Sequence, residues 1–289
     1  MKRRTKALLA WAAAVALAGG SASHAAVSTT GSVDLSGPVY RIGDVADGSL
    51  AIDGGSVLNN SGGILGNNIN CTGTVTVSGT GSTWSAGSDL QIGLLGNGSL
   101  NILDAGQVSN TTGTLGVSAG ATGSAIVSGA GSKWTNSGGL FVGSAGSGTL
   151  TVSDGGLVTA RTIYAATSDL LGNGTIEARG AILDSSLVFD STHGLSQTIG
   201  FGSGGSLKLS IDTTSTLGAG FRGTGSLLIT DGQTVSTSKG YLGHDAGSMG
   251  TGTISGTGSK WTTTELYLGH NGSGALNVTD GAQVVSGQG

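Results

Sequence analysis

The sequence predicts an all-β chain folded as a parallel β-helix, in which coils of about 25 residues stack on one another. A 34-residue stretch at 77–110 recurs without a gap at 127–160, and a third copy at 254–286 lacks one residue. Glycines recur every 25 residues, and apolar residues alternate with small polar ones between them, as at Leu100 and Ile102. Alternation over such short runs is typical of half-buried strands, and the glycines mark turns.

Two sets of apolar positions follow the 25-residue spacing and predict columns of core residues. The first contains Ile52, Val77, Ile102, Val127 and Val152, and the second contains Leu65, Leu90, Leu115 and Leu140. One unit of this length cannot bury its own apolar face, whereas stacked units bury a continuous core.

The composition includes 58 glycines and one proline, but the chain fits neither a disordered linker nor collagen. A disordered linker needs low hydrophobicity, but the mean hydropathy is +0.18 and the apolar residues are in register. Collagen is excluded because glycine does not occupy every third position. Helices are not expected, because glutamate occurs only twice and after the N-terminus no window has apolar residues at helical spacing.

Residues 1–25 are predicted to be a secretory signal peptide, cleaved after Ala25. A basic segment at 1–6 precedes an apolar run at 7–18, and small residues precede the cleavage point. Cleavage leaves eight basic and sixteen acidic residues, a net charge of −8, which argues against nucleic acid as a partner. Cys71 is the only cysteine, so no intramolecular disulfide forms, and we expect it to be an inert strand or turn residue.

The remaining chain is predicted to be a polar lead-in at 26–39 and one elongated β-helical domain at 40–289. Within it, the spacing is lost between 161 and 222, although strand-like alternation persists, as at 206–211. About ten coils fit. The sequence stops where another coil would begin, which predicts an unpaired edge and end-to-end association or fraying. We therefore expect a piece of a longer surface protein, with a C-terminal β-barrel translocator or other anchor missing.

The repeat V-S-G-x-G-S-x-W, followed by L-x-[IV]-G and G-x-G-x-L-x-[IV]-x-D, resembles the type V secretion and PEP-CTERM-associated repeat. The resemblance covers about 40–160 and 224–289. It implies a right-handed β-helical passenger domain of an autotransporter of Gram-negative bacteria, exported and displayed at the cell surface or outer membrane, often as an adhesin. A structural extracellular-matrix protein of the PEP-CTERM type is the alternative.

Three kinds of recurring side chain are candidate site residues. Asp104, Asp154, Asp231 and Asp280 follow strands and are expected to bond their own backbone in turns, because one aspartate per 50 residues cannot supply calcium ligands. Trp84, Trp134 and Trp261 share one repeat position and either pack the coil or line a sugar-binding groove. His244 and His270 both follow Tyr-Leu-Gly and should stack, as a solvated turn or a two-histidine metal site.

An enzyme is the less favoured interpretation, and no catalytic residue, metal or cofactor is predicted. A polysaccharide-degrading β-helix needs paired carboxylates or an acid–metal–base cluster. Charges concentrate in the irregular middle but without a recognisable spacing, at Asp169, Glu177, Arg179, Asp184, Asp190, His193, Lys208, Asp212 and Arg222. We expect adhesion to host or matrix glycans or proteins.

Overall fold

The computed structural model describes residues 26–288, and the predicted signal peptide lies outside them. These residues form a parallel β-solenoid of about ten turns, as predicted, with no α-helix and one 3₁₀ turn at Thr167–Asp169. The strands are β1 Ala26–Gly31, β2 Val33–Asp34, β3 Val39–Ile42, β4 Gly48–Asp53, β5 Val57–Asn60, β6 Gly62–Leu65, β7 Thr72–Ser78, β8 Thr83–Ala86, β9 Leu90–Ile92, β10 Asn97–Leu103, β11 Gln107–Asn110, β12 Gly113–Leu115, β13 Thr122–Ser128, β14 Lys133–Val142, β15 Ser147–Ser153, β16 Leu157–Ala165, β17 Leu170–Leu171, β18 Thr175–Leu183, β19 Ser186–Phe189, β20 Ser196–Phe201, β21 Gly205–Ser210, β22 Thr216–Ala219, β23 Thr224–Ile229, β24 Thr234–Leu242, β25 Met249–Ser255, β26 Lys260–Leu268, β27 Ser273–Thr279 and β28 Gln283–Gln288.

Three sheets line the solenoid. Sheet A holds seven strands, from β1 to β17, and sheet C holds β19, β23, β25 and β27. Sheet B has 17 strands and runs the whole length, contributing two faces of each coil. In a regular coil the chain passes through β10 in sheet A, then β11 and β12 in sheet B, and returns to sheet A as β13.

The core consists of inward-facing apolar columns, and the first predicted column is confirmed. Ile52, Val77, Ile102, Val127 and Val152 lie in register and are fully buried. The second predicted column is wrong in register. Leu65 pairs with Ile92 and Leu115 pairs with Ile92, whereas Leu90 lies opposite Gly63 and Gly113. The corner before β9 is longer than the corner before β12. Residues that pair on adjacent coils are therefore 25 apart in sheet A, whereas in sheet B their separation alternates between a longer and a shorter value.

Two kinds of coil alternate, which explains why the strongest repeat is 50 residues. One kind turns through Asp-Gly or Asp-Ala with two consecutive positive φ angles, as at Asp104 (51°) and Ala105 (69°). The other turns through Gly-x-Gly-Ser and ends on a buried serine. Ser132 Oγ accepts a hydrogen bond from Ala105 N at 3.0 Å, and Ser82 and Ser259 make the same bond to Gly55 and Gly232. Each serine therefore satisfies a backbone donor of the adjacent coil.

The predicted polar lead-in contributes strands at the N-terminal end of the solenoid. β1 pairs antiparallel with β4, and β2 pairs antiparallel with β3. All other pairings of β4 and β3 are parallel. The reversed strands cover the first coil, which is how solenoids protect an open sheet edge.

The irregular middle interrupts the stacking on one side only. Sheet A ends at β17, sheet C starts at β19, and the two short strands do not pair with each other. Sheet B continues through this region because β18 pairs with both β21 and β22. β20 folds back antiparallel on β21 as an inserted hairpin. The interruption leaves a groove between the two stacks of coils.

Candidate functional site

The recurring tryptophans are core residues, so the sugar-groove alternative for them is wrong. Trp84, Trp134 and Trp261 have no exposed surface. Each ring lies in register with smaller apolar residues of adjacent coils, as Trp134 does with Val108 and Val158. An external ligand cannot contact these rings.

Each tryptophan also has a fixed partner and a fixed space in the preceding coil. Trp134 Nε1 donates to Asn110 Oδ1 at 2.6 Å, Trp84 Nε1 to Asn60 at 2.9 Å, and Trp261 Nε1 to Thr237 at 3.1 Å. A Cβ atom at Gly113 would lie 2.8 Å from the Trp134 ring, and Gly63 and Gly240 leave the same space for Trp84 and Trp261. The repeated Trp therefore depends on a repeated Gly one coil earlier.

The four aspartates lie in turns, but their carboxylates bond across coils rather than to their own backbone. All four have φ between 51° and 55°. Serine hydroxyls donate to them from the neighbouring coil: Ser78 to Asp104 at 3.1 Å, Ser128 to Asp154 at 3.0 Å, Ser191 to Asp231 at 3.1 Å and Ser255 to Asp280 at 2.8 Å. The bonds from Ser255 and Thr279 lower the pKa of Asp280. These contacts tie adjacent turns together.

An outward-facing set of aromatic side chains, which the sequence analysis missed, lies along sheet B. We call it the aromatic column, and it consists of Phe141, Tyr164, Phe221, Tyr241, His244, Tyr267 and His270. Phe141 and Tyr164 stack at 4.1 Å with 13° between their planes, and Tyr241 and Tyr267 stack at 4.7 Å with 9°. Phe221 is buried, His270 is exposed, and the other rings are half-buried.

Phe221 bridges the two stacked pairs. The strand positions between Tyr164 and Tyr241 are Ile182 and Gly218, which supply no ring. The Phe221 ring reaches this space from the turn after β22 and lies 5.7 Å from Tyr164 and 5.8 Å from His244. The column is thereby continuous across the interruption of sheet A. Burial raises the pKa of Tyr164 to about 12.

His244 and His270 lie one above the other on adjacent coils, as predicted, with ring centroids 5.4 Å apart and ring planes tilted by 31°. His244 Nδ1 lies 2.6 Å from Asp245 Oδ1, and His270 Nδ1 lies 3.4 Å from the His244 carbonyl oxygen. Across the described chain, no group of three or more His, Cys, Asp or Glu side chains is placed to hold a metal. Their rings also contact Tyr241, so they extend the aromatic column.

The column ends in a charged group at β24 and β26. Lys239 Nζ lies 3.1 Å from Glu265 Oε2, to which the Tyr267 hydroxyl donates at 2.6 Å. The Tyr267 hydrogen bond and then Lys239 lower the pKa of Glu265. This contact orients the Tyr267 ring at the end of the column.

A polar groove of 440 Å³ borders the column where sheet A stops. Asp169, Asp184 and Arg222 line it together with hydroxyls of Ser147, Thr149 and Ser168. Asp184 Oδ1 accepts hydrogen bonds from Phe221 N at 2.6 Å and Arg222 N at 3.1 Å, which holds this turn in place. The Arg222 guanidinium occupies the space that a side chain at Gly143 would fill.

The groove contains a guanidinium that no other side chain of the described residues pairs with. Between residues 26 and 288, the Arg222 side chain, which lines the groove, has no hydrogen-bond or ion-pair partner within the chain. Burial raises the pKa of Asp169, and Arg222 opposes that shift. A guanidinium, carboxylates and hydroxyls in one groove suit a polyhydroxylated ligand.

The charged residues of the irregular middle do not form one cluster but lie in several separate parts of the surface. Asp190 holds His193 in its own loop through three contacts, from His193 N at 2.6 Å, Thr192 N at 2.8 Å and the His193 ring at 3.0 Å. Asp212 caps a turn at Thr214. Glu177, Arg179 and Lys208 lie on the outer surface of sheet B. Cys71 is buried and unpaired in the turn before β7.

Comparison of the chain with protein-family models finds no match, and comparisons with curated proteins and with solved structures find none either. Within residues 26–288, no helix has the length and apolar character needed to span a membrane.

Proposed function

We propose that this chain is the exported, surface-displayed β-solenoid of an autotransporter-like protein of a Gram-negative bacterium, and that it mediates adhesion by binding glycans. Its basic, apolar and small-residue N-terminus, its resemblance to passenger repeats and its solenoid fold support this proposal. A structural matrix protein is the second candidate, because a stiff rod with few charged groups also suits a spacer.

The observation that carries the proposal is the aromatic column. The stacked rings of Phe141 and Tyr164 cover each other's faces, so the half-buried rings present a continuous apolar strip of ring edges on the outside of the solenoid. The apolar faces of sugar rings pack against such surfaces, and neighbouring polar groups orient the hydroxyls. Asp169 and Arg222 supply these polar groups in the adjoining groove.

Repetition of the rings compensates for weak single contacts. Rings at both Tyr164 and Tyr241 offer contacts to one extended glycan, and several weak contacts along a rod add through avidity. Display of many rods on one cell increases this effect.

Glycan-array binding and cell adhesion test the proposal. The Tyr164→Ser/Tyr241→Ser double variant should lose glycan affinity about tenfold while keeping the β-rich circular-dichroism spectrum. Ile126→Ser is the control, because Ile126 is an exposed apolar residue on sheet A. Unchanged binding in the double variant, or an equal loss in Ile126→Ser, contradicts the proposal.

Export and display have separate tests. The exported protein should begin near Ala26, and protease added to intact cells should remove it. Location within the extracellular matrix without cell-surface attachment would favour the matrix protein. Release of reducing sugar ends from a bound polysaccharide would favour the enzyme interpretation.

A further inference from the structure

Beside the aromatic column, two arginines stack on the outer corner of sheet B. Arg161 of β16 and Arg179 of β18 lie between residues that pair in register, Ala160 with Ala178 and Thr162 with Gly180. The two arginines therefore occupy equivalent positions on consecutive coils, about 4.8 Å apart along the stack. Lys208 pairs in register with Glu177 on the next rung. These are three of the eight basic residues after residue 25.

The two arginines of this cluster form no ion pair with a carboxylate of the described chain. Within the described residues, the Arg179 guanidinium has no hydrogen-bond or ion-pair partner, and Arg161 Nη2 donates only to the Thr214 carbonyl oxygen at 3.2 Å. Lys208 lies 3.6 Å from Glu177, and both side chains are about half exposed. Like charges on neighbouring strands repel each other, so an anion between the two arginines would be stabilising.

The nearest other carboxylate is already engaged. Asp212 Oδ1 accepts from Thr214 N at 2.8 Å, Thr214 Oγ1 at 2.7 Å and Ser215 Oγ at 3.1 Å. Asp212 is therefore held in its own turn. It forms no ion pair with either arginine, although the charge of Arg179 contributes to lowering its pKa.

The arginines line a furrow that crosses several coils. One part has a volume of 560 Å³ and includes Arg179, Glu177 and Lys208, and the other has 260 Å³ and includes Arg161 and Arg179. The two parts share Thr159, Ala160 and Arg179, so they are continuous. A register shift at Asn136 to Gly139 lies opposite Arg161, and Asn136 lines the furrow at this point.

We propose that this basic furrow binds an acidic polysaccharide, with carboxylate or sulfate groups on the sugars contacting Arg161 and Arg179. Planar guanidinium groups bind such anions through paired hydrogen bonds. Phe141 and Tyr164 lie on strands that border the furrow, β14 and β16, so a sugar chain in the furrow can also reach the aromatic column. The inference rests on the proposed glycan binding and assigns its ligand class.

Binding of purified chain to alginate, dextran sulfate and neutral dextran tests the inference. Alginate carries carboxylates and dextran sulfate carries sulfates, so the two probes identify the preferred anion. The Arg161→Gln/Arg179→Gln variant should bind the preferred polymer at least about tenfold more weakly. The slope of log affinity against log salt concentration should also be smaller for this variant, by the equivalent of about two charges. Lys133→Gln/Lys260→Gln removes the same charge elsewhere and should change affinity less than about twofold.

Equal losses in the two variants, or no loss in the arginine variant, overturn the inference. A single-stranded oligonucleotide that binds more tightly than either acidic polymer also overturns it. If neutral glycans bind through Tyr164 and Tyr241 while acidic polymers do not bind, the proposed function stands and this inference fails. If no glycan binds, both fail.

Discussion

The regular coils at 48–160 and the irregular middle at 161–222 use the same strands for different purposes. In the regular coils, outward positions are mostly small and neutral, such as Thr76, Asn101 and Thr151, and inward positions are apolar. In the middle, one sheet stops, another begins, and half of the basic residues that follow residue 25 are found there. Repetition therefore maintains the scaffold, and basic side chains cluster where the repetition is broken.

The difference follows from how tightly each residue is enclosed. A residue such as Trp134 contacts coils on both sides, so a change in one coil requires a matching change in two neighbours. The interruption between β17 and β19 removes that constraint on one side. Arg222 and Phe221 lie in the turn next to this interruption and reach positions that a regular coil does not offer.

The largest expected effect is removal of a regular-coil tryptophan. Trp134→Ala should lower the free energy of unfolding by about 3–5 kcal/mol, since it leaves a cavity and deprives Asn110 of its donor. Urea unfolding, monitored by circular dichroism, measures this loss of stability. Ile126→Ala is the control and should cost little because Ile126 is partly exposed. A loss below about 1 kcal/mol for Trp134→Ala would mean that the ring contributes little to the stability of the core.

The second effect compares glycines of the two regions. Gly113→Ala should cost about 1–3 kcal/mol, because the added Cβ lies 2.8 Å from the Trp134 ring. Gly200→Ala, in the inserted hairpin, meets no atom within 4 Å and should change stability by less than about 0.5 kcal/mol. Thermal unfolding of both variants tests the comparison. Equal effects would show that the middle is packed as tightly as the regular coils.

An effect of similar size is expected from the serine that links alternate coils. Ser132→Ala leaves the Ala105 backbone N–H without its acceptor and should cost about 1–3 kcal/mol. Ser99→Ala removes a half-buried hydroxyl on the outer face of β10 and should be nearly neutral. Urea midpoints of the two variants that coincide would contradict the role of Ser132 in holding neighbouring turns together.

The smallest effects are pH-dependent and lie in the middle. Hydrogen bonds, chiefly from Thr214, lower the pKa of Asp212, so its stabilising contribution is present above the ordinary value of 3.8 and is lost as pH falls through the folded value. Asp212→Asn should therefore be slightly less stable at pH 7 and match the parent in strong acid. Burial raises the pKa of Asp169, so ionised Asp169 disfavours the fold, and Asp169→Asn should be slightly more stable at pH 7. Thermal melts from pH 3 to 7 that show the same sign for both variants would contradict these assignments.

Sequence reasoning predicted the solenoid because its spacing is carried by glycines and apolar residues that every coil needs. It misplaced the Leu90 column because sheet B coils alternate in length while sheet A coils do not. It missed the antiparallel strands at 26–34, which pair only once and have no period. The tryptophans were ambiguous because a ring at a repeated position fits both a core and a groove, and only burial decides.

The aromatic column was harder to predict because its rings do not share one spacing. Tyr164 follows Phe141 by one coil, but Phe221 comes from a turn and fills a gap left by Gly218. The available signal was the aromatic residue two positions before Gly in Phe141-Val-Gly, Tyr241-Leu-Gly and Tyr267-Leu-Gly. The groove at Asp169 and Arg222 had no sequence signal, since these two residues are far apart in the chain and only the interruption brings them together.

Hydrogen exchange with and without a bound glycan tests most directly the claim that the aromatic column on sheet B, beside the interruption of sheet A, is the site. We expect added protection at the backbone amides of 139–145, 161–168, 218–223 and 239–245, which carry the aromatic column and its neighbours. Strands of sheet A, such as β7 and β10, should exchange at the same rate in both states. Protection spread evenly over all coils, or confined to sheet A, would contradict the account.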